Sequence, residues 1–140
     1  MPHFSINTWV CDDLIQPFGD ANAKNSYLCF QGLVGRNGVY IFQDKATGAV
    51  LYIGEAHSQD LKQRITQNFA PNDTGGTFRK DWCDKEKKEF TQFKEALQHW
   101  LIRAILIETE SKDLIRAIEE TFISELKPKY NKFVGRPSVG

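Results

Sequence analysis

Residues 38–54, GVYIFQDKATGAVLYIG, carry most of the information that decides the fold. Apolar and aromatic residues that are common in strands lie on both sides of the polar segment 44–48, which ends in a glycine. This pattern predicts a β-hairpin, with one strand at about 38–43 and a second at about 49–54.

The hairpin brings two tyrosines together. Side chains alternate between the faces of a strand, so we expect Tyr40 and Tyr52 side by side on one face. The aliphatic residues are expected on the opposite face, and they are Val39, Ile41, Leu51 and Ile53. Because Gly38 and Gly54 leave bare backbone near the phenols, this part of the hairpin is a candidate chemical site.

The composition is that of a single soluble globular domain. The chain has 140 residues, 41% hydrophobic and 26% charged, which is enough to bury a core without disulfides. No segment has the roughly 18 consecutive apolar residues of a membrane span, and the N-terminus does not resemble a signal peptide. Cys11, Cys29 and Cys83 lack metal-ligand spacing, so we expect reduced thiols in a cytoplasmic protein.

The formal net charge is zero, which argues against the phosphate-neutralising surface that nucleic-acid-binding proteins usually carry. The basic residues are nonetheless clustered, in residues 79–88 and again in residues 127–136. Two interpretations of residues 79–95 stay open, a basic binding face and a solvated surface helix.

A short helix is predicted after the hairpin. Ser58 is a suitable N-cap, and Asp60 lies in the first turn, where the helix dipole favours negative charge. The four-residue spacing of apolar side chains marks a buried stripe, formed by Leu61, Ile65 and Phe69. Arg64 lies next to this stripe, so its guanidinium can reach the sheet.

Three further segments complete the predicted core. Loop residues open an insertion at about 70–98, which is helical in one or two pieces. The apolar run 100–107 predicts a central strand that is covered by helices. A last helix at about 111–126 is ended by Pro128. These elements predict an α+β fold, with a small central three-stranded mixed sheet flanked by helices.

Two neighbouring glutamates of the last helix are candidate carboxylates. The apolar stripe of this helix is formed by Ile115, Ile118, Phe122 and Leu126. Glu119 lies beside the stripe, whereas Glu120 is rotated by roughly 100° about the helix axis and lies on the solvent-exposed face. We therefore expect Glu119 to approach the sheet.

The predicted organisation is one domain with two appendages. Residues 1–36 form an N-terminal extension, and residues 27–30 within it are either a short extra strand or the approach to the hairpin. Its apolar side chains are expected to pack on the domain, and they are Phe4, Ile6, Trp9, Val10, Leu14, Ile15 and Phe18. Residues 37–135 form the domain itself, and residues 136–140 form a tail.

Four sequence blocks resemble those of the GIY-YIG nucleases, which include homing endonucleases, some restriction enzymes and the N-terminal domain of the bacterial excision-repair incision subunit. Two blocks are Gly38-Val39-Tyr40 and Tyr52-Ile53-Gly54. The others are the helix with Arg64, and the glutamate helix followed by the ending Pro128-Lys129-Tyr130-Asn131. The resemblance extends from about Gly38 to Asn131.

The resemblance implies an endonuclease that acts on DNA with a single Mg²⁺ or Mn²⁺ ion. It implies a catalytic set made of Tyr40, Tyr52, Arg64, Glu119 and Asn131. The tyrosines are expected at or near the general base, the arginine on the phosphate and the glutamate on the cation; which tyrosine takes the proton stays open. These roles agree with general chemistry, because hard cations prefer carboxylate oxygens and a guanidinium matches phosphate oxygens. A phenol accepts a proton only when nearby cations lower its pKa.

The chain departs from the family pattern at two positions. Glu55 stands where many relatives have a lysine, and Asn68 stands where many have a tyrosine or a histidine. His57 either replaces a missing proton carrier or is a surface loop residue. Contacts with nucleic acid are expected from His57, Asn68, Arg79, Lys80 and Lys129.

Two functions from different classes stay open. The first is an active endonuclease that hydrolyses duplex or branched DNA. The second is a weak or inactive module with the same fold, which binds nucleic acid or a partner protein; Glu55, Asn68 and the neutral charge favour it. A domain this small either reads the shape of DNA, forms a homodimer or is delivered to its target by a partner protein.

Overall fold

A computed structural model describes residues 5–14 and 28–131 of the chain. Within these residues the strands are β1 (Ser5–Cys11), β2 (Gly38–Asp44), β3 (Val50–Ala56) and β4 (Trp100–Glu108). The α-helices are α1 (Leu61–Thr66), α2 (Thr77–Glu86), α3 (Phe90–Ala96) and α4 (Lys112–Leu126). Short 3₁₀ helices lie at Leu28–Leu33, Gln67–Phe69 and Leu97–His99. Residues 28–30, for which a short extra strand was one alternative, belong to the first of these helices.

The four strands form one sheet in the order β1-β4-β2-β3, and every neighbouring pair is antiparallel. The α+β class and the interior position of β4 are confirmed, but the prediction of three strands in a mixed sheet was wrong. The additional strand is β1, which pairs with β4 from Ser5↔Glu108 to Cys11↔Ile102. Four of its seven side chains are exposed, so it lacks the apolar run that marks a buried strand in a sequence.

One face of the sheet carries an aromatic core that is covered by α1, α2 and α3. Phe78 of α2 lies at its centre. Ring centroids 4.5 to 5.9 Å from that of Phe78 belong to Phe42, Tyr52, Phe93, Trp100 and Tyr130. Burial of each such side chain contributes on the order of 2–3 kcal/mol, so this face provides much of the stability of the domain.

The other face is aliphatic and is covered by α4. Ile115 of this helix is buried in a cluster with Val39, Ile41, Ile53 and Ile107. The helix begins after Ser111, whose hydroxyl accepts a hydrogen bond from the Leu114 amide at 3.2 Å. It ends before Lys127, which has a left-handed conformation with a φ of 47°. The predicted last helix is therefore confirmed to within a residue.

A bulge in the hairpin changes the face of one residue. Phe42 pairs with Tyr52, but the next residue, Gln43, pairs with Val50. Leu51 is therefore the extra residue of the bulge. It packs in the aromatic core, and not on the aliphatic face that strict alternation predicts.

The first helix begins later than predicted. Asp60, and not Ser58, is the N-cap of α1, because its carboxylate accepts a hydrogen bond from the Gln63 amide at 2.8 Å. The same carboxylate accepts from the Gly35 amide at 2.9 Å. Aspartate and serine are equally good N-caps, and the link to the segment before the hairpin, which no local pattern reveals, favours the aspartate.

Gly38 begins β2 at a position that only glycine fits. Its φ is +148°, and a Cβ built there would overlap the Ile105 carbonyl oxygen of β4. Gly38→Ala is therefore expected to lower the free energy of unfolding by about 3 kcal/mol or more in urea denaturation. Gly35→Ala is the matched control, because Gly35 also has a positive φ, +72°, but open space around it. It is expected to cost only about 1–2 kcal/mol, and equal losses in both variants would contradict the steric explanation.

Part of the predicted extension and the whole of the predicted tail lie outside the described residues, namely Phe4, Ile15, Phe18 and residues 136–140. Within the described part, Leu14 is buried, and Trp9 packs on Phe30 with ring centroids 5.8 Å apart. Ile6 and Val10 are exposed. Among the helices of the described ranges, none is both long and apolar enough to cross a membrane.

Candidate active site

The candidate site lies at the edge strand β3, around Gly54. Tyr40 of β2 pairs with Gly54, and the Tyr40 ring and hydroxyl lie against the backbone of this glycine. A Cβ at residue 54 would overlap the ring. The buried phenol therefore occupies its place only because this position has no side chain.

Tyr40 and Tyr52 lie side by side on one face, as the alternation of side chains predicts. Their ring centroids are 6.3 Å apart, and Tyr40 is 1% exposed and Tyr52 7%. Burial raises the pKa of Tyr40 to about 12, although the positive charge of Arg64 opposes this rise. Burial also raises the pKa of Tyr52 well above its ordinary value. Both phenols are therefore protonated at neutral pH in the metal-free protein.

Arg64 reaches the phenols from the last turn of α1. Its Nη1 donates to the side-chain oxygen of Gln67 at 2.9 Å and to the carbonyl of Gly75 at 3.4 Å. The positive charge of the guanidinium also acts on the Tyr40 side chain and lowers the pKa of the phenol. The side chain is half-buried, so its attraction for a bound anion is stronger than that of a fully solvated arginine.

Glu119 approaches the site from α4, on the other side of the sheet. It is half-buried, whereas Glu120 is exposed, which is the arrangement that the helix periodicity predicts. Burial raises the pKa of Glu119 to about 7, and the negative charges of Glu55 and Glu120 add to this rise. The charges of Arg116 and Arg64 oppose it.

Electrostatic effects connect the four side chains of the candidate site. The charges of Arg64 and Glu119 both act on the pKa of Tyr40 and on that of Tyr52, and Arg64 acts on Glu119. The residues come from β2, β3, α1 and α4. Because β3 is at the edge of the sheet, side chains that belong to the two opposite faces can approach each other past the end of this strand.

The raised pKa of Glu119 predicts how the stability of the metal-free protein changes with pH. The pKa rises from 4.5 in the unfolded chain to about 7 in the folded protein, so the folded state keeps a proton that the unfolded state has lost. This contribution to stability is fully present below pH 4.5 and is lost as the pH rises to about 7. Glu119→Gln is expected to remove the dependence and to exceed the wild type in stability at alkaline pH. Thermal denaturation in EDTA across this range measures it, and parallel profiles for the two proteins would contradict it.

Asn131 holds the backbone of β3. Its side-chain oxygen accepts from the Ile53 amide at 2.9 Å, and its side-chain nitrogen donates to the Ile53 carbonyl at 2.8 Å. The two preceding residues also donate their amides to this strand, so the segment 129–131 covers the outer edge of residues 50–53 and leaves the end of the strand uncovered. Asn131, which the resemblance places in the catalytic set, therefore fixes the strand that carries Tyr52.

Asn68 and Arg79 are buried, with 0% and 5% of their surfaces exposed, and this burial argues against the contacts with nucleic acid that were expected of them. Asn68 accepts from the Arg79 amide at 3.0 Å and donates to the Ile65 carbonyl at 3.2 Å. The Arg79 guanidinium donates to three backbone carbonyls, those of Gln67, Ala70 and Asp73. Both side chains hold the loop between α1 and α2 in place.

The other predicted contact residues are at least partly accessible. Lys80 is exposed and donates to the Thr74 carbonyl at 3.2 Å. Lys129 is exposed, and its Nζ lies 5.2 Å from the centroid of the Tyr130 ring. His57 is half-buried, and its Nδ1 lies 2.6 Å from a carboxylate oxygen of Glu55. An acidic partner therefore fixes this histidine at the end of β3.

Sequence reasoning missed two contributors to the site and had no signal for a third. Glu55 was identified only as a departure from the family pattern, but its charge acts on Glu119. Gln67 follows Arg64 by three residues, a spacing at which helical side chains meet, so its contact was open to prediction. The negative charge of Asp81, in α2, raises the pKa of Tyr52, and nothing in the sequence around Asp81 indicates this.

The donor set agrees with a single hard cation. Among residues 5–14 and 28–131, no three histidine, cysteine or acidic side chains form a cluster that would hold a metal by themselves. Mg²⁺ does not require one, because it commonly binds one or two carboxylates and completes its shell with water and substrate phosphate. Glu119 offers such a carboxylate, and a cation beside it would relieve the repulsion from Glu55 and Glu120. The residues therefore fit one Mg²⁺ or Mn²⁺ ion.

A comparison with protein families gives an independent assignment. The family described as "UvrC-like GIY-YIG domain" matches residues 36–132, which is more than half of the chain. No individual curated protein matches the sequence. Members of the GIY-YIG family are generally nucleases, so the domain is of a nuclease type and implies DNA as a ligand. The chain belongs to the family of UvrC-like GIY-YIG domains.

Proposed function

We propose that the protein is a divalent-metal-dependent endonuclease that hydrolyses phosphodiester bonds in DNA. The observation that carries this proposal is that two phenols, with ring centroids 6.3 Å apart, lie within reach of the charges of one guanidinium and one carboxylate at the edge of the sheet. In phosphodiester hydrolysis, water attacks the phosphorus, negative charge builds up on the phosphoryl oxygens, and the leaving oxygen departs. The four side chains offer one group for each of these requirements.

We assign Arg64 and Glu119 to the stabilisation of the negative charge that develops on the phosphoryl group and on the leaving oxygen. The Arg64 guanidinium would bind non-bridging phosphate oxygens, since its planar donors match them and it lies beside both phenols. Glu119 would hold one Mg²⁺ or Mn²⁺ ion. When bound, the cation would stabilise negative charge on the phosphate and on the leaving oxygen.

Tyr40 and Tyr52 are the residues that we assign to proton transfer and to the orientation of the attacking water. Burial keeps both protonated in the metal-free protein, so each begins as a hydrogen-bond donor. The positive charge of Arg64 lowers the pKa of both phenols, and a second positive charge in the site would lower it further. A phenol whose pKa is lowered in this way can accept the proton of the water.

We further propose how the rest of the chain serves this reaction. Residues 37–135 would form the nuclease unit, and the insertion at about 70–98 would hold Arg64. DNA contacts would come from the accessible side chains of His57, Lys80 and Lys129, with targeting by a homodimer or a partner protein. The three cysteines are free thiols in the structure, which supports a reducing location such as the cytoplasm.

A second candidate is a DNA-binding module of the same fold that does not cleave. Glu55 favours it, because this carboxylate adds negative charge beside Glu119, at the place where phosphate would bind. The net charge of zero also favours it. This module would bind branched or single-stranded DNA in a salt-sensitive way and form no metal-dependent products.

One assay separates the two candidates. End-labelled duplex, single-stranded and branched DNA would be incubated with the wild-type protein in Mg²⁺, Mn²⁺, Ca²⁺ or EDTA. The nuclease is expected to form discrete products with Mg²⁺ or Mn²⁺ and none in EDTA. Salt-sensitive binding with no product under any cation would overturn the proposal and leave the binding module.

A further inference from the structure

We infer that the Gln67 side chain and the Gly75 carbonyl form a neutral cradle that positions the Arg64 guanidinium for phosphate. The inference rests on the proposed nuclease function, since it assigns Gln67 and the loop before α2 to the site of that reaction. Gln67 is a positioning residue, because it acts through Arg64.

The first support is the set of contacts of one nitrogen atom. Nη1 of Arg64 donates to the Gln67 side-chain oxygen at 2.9 Å and to the Gly75 carbonyl at 3.4 Å. Both acceptors are neutral, so they fix the direction of the guanidinium without cancelling its charge. A carboxylate at residue 67 would also hold it, but would form an ion pair that competes with phosphate.

The second support is the frame that fixes the cradle. The Arg79 guanidinium donates to the Gln67 carbonyl at 2.9 Å, and it also binds the carbonyls of Ala70 and Asp73. The Asp73 carboxylate accepts from the Gly75 amide at 2.8 Å. The backbone on both sides of the cradle is therefore tied to a single buried arginine.

The third support is the closeness of Gly75 to Gln67. A Cβ built at Gly75 would overlap the Gln67 carboxamide. The φ of Gly75 is not in the left-handed region, so the backbone itself accepts alanine. Gly75→Ala is therefore expected to push the flexible carboxamide of Gln67 away from Arg64 without straining the backbone of the loop.

Four variants test the cradle, with steady-state kinetics of DNA cleavage in Mg²⁺ as the first readout and circular dichroism as the check of folding. Gln67→Ala is expected to slow cleavage by about 10- to 100-fold, mainly in kcat, because Arg64 is misplaced. Gly75→Ala is expected to do the same, and the double variant to be no worse than Gln67→Ala. Gln67→Glu is expected to raise KM instead. Gln63→Ala, at an exposed position of the same helix, is the matched control and is expected to cleave like the wild type.

The second readout does not depend on activity. The Nε–Hε signal of Arg64, identified by its absence in Arg64→Lys, reports the mobility of the guanidinium in ¹⁵N relaxation measurements. It is expected to be rigid in the wild type and in Gln67→Glu, and mobile in Gln67→Ala and Gly75→Ala.

The two readouts keep the inference and the proposed function separable. A wild-type protein that cleaves no DNA would refute the proposed function. The mobility of the Arg64 guanidinium would then still show whether Gln67 and Gly75 hold it. A rigid Arg64 in Gln67→Ala would overturn the cradle. Unchanged cleavage by Gln67→Ala in an active protein, or additive losses in the double variant, would also overturn it.

Discussion

Glu119→Gln is expected to reduce metal-dependent DNA cleavage by at least about 1,000-fold while the protein stays folded. Glutamine has the same shape as glutamate but carries no charge, so it would not retain a divalent cation. The half-buried position and the raised pKa of Glu119 mean that removal of the charge does not weaken the fold. Single-turnover cleavage in Mg²⁺, together with thermal denaturation, measures both effects.

Glu120→Gln is the matched control for this prediction. Glu120 is the next residue of the same helix, but it is exposed and its charge is only one of several that act on Glu119. We expect the Glu120→Gln protein to cleave DNA at a rate within a few-fold of that of the wild type. Equal activity of the two variants, or a greater loss in Glu120→Gln, would show that the carboxylate has been wrongly chosen.

Arg79→Met is expected to lower the free energy of unfolding by about 3 kcal/mol and to abolish most of the cleavage. Methionine fills a similar volume but leaves three backbone carbonyls without their donor, those of Gln67, Ala70 and Asp73. The loop that they form carries the Gly75 carbonyl, which binds Arg64. Urea denaturation and the cleavage assay measure the two effects.

Lys80→Met is the control for the buried arginine. Lys80 is the next residue along α2, it is exposed, and its one described hydrogen bond is to the Thr74 carbonyl at 3.2 Å. We expect a change in stability within about 0.5 kcal/mol and, at most, weaker binding of DNA at higher salt. Similar losses of stability in both variants would contradict a structural role that is specific to Arg79.

The sequence alone predicts the parts of the fold that local patterns encode. Alternation and a glycine-containing turn mark the hairpin, and periodicity marks α4 and separates Glu119 from Glu120. The bulge at Leu51 escapes this reasoning, because it depends on how β2 and β3 pair. Strand β1 escapes it as well, because an edge strand with exposed side chains has no apolar run.

The candidate site shows the same division between local and long-range information. Tyr40, Tyr52 and Arg64 stand in short motifs, and motifs of this kind predict residue types in a given order. The burial of Asn68 and Arg79 depends on the path of a loop, and an exposed arginine and a buried one look alike in a sequence. The same loop brings Gly75 to Arg64, eleven residues away along the chain, where no periodicity connects them.

The central claim is that one divalent cation binds at Glu119, beside the phenols and Arg64. A titration of the ¹⁵N-labelled protein with Mn²⁺ tests it most directly, because the paramagnetic ion broadens signals of nearby amides. We expect the signals of Gly54, Glu55 and Glu119 to broaden first in the wild type, and to be spared at the same Mn²⁺ concentration in Glu119→Gln. Broadening that begins elsewhere on the protein, or that is unchanged in Glu119→Gln, would contradict the claim.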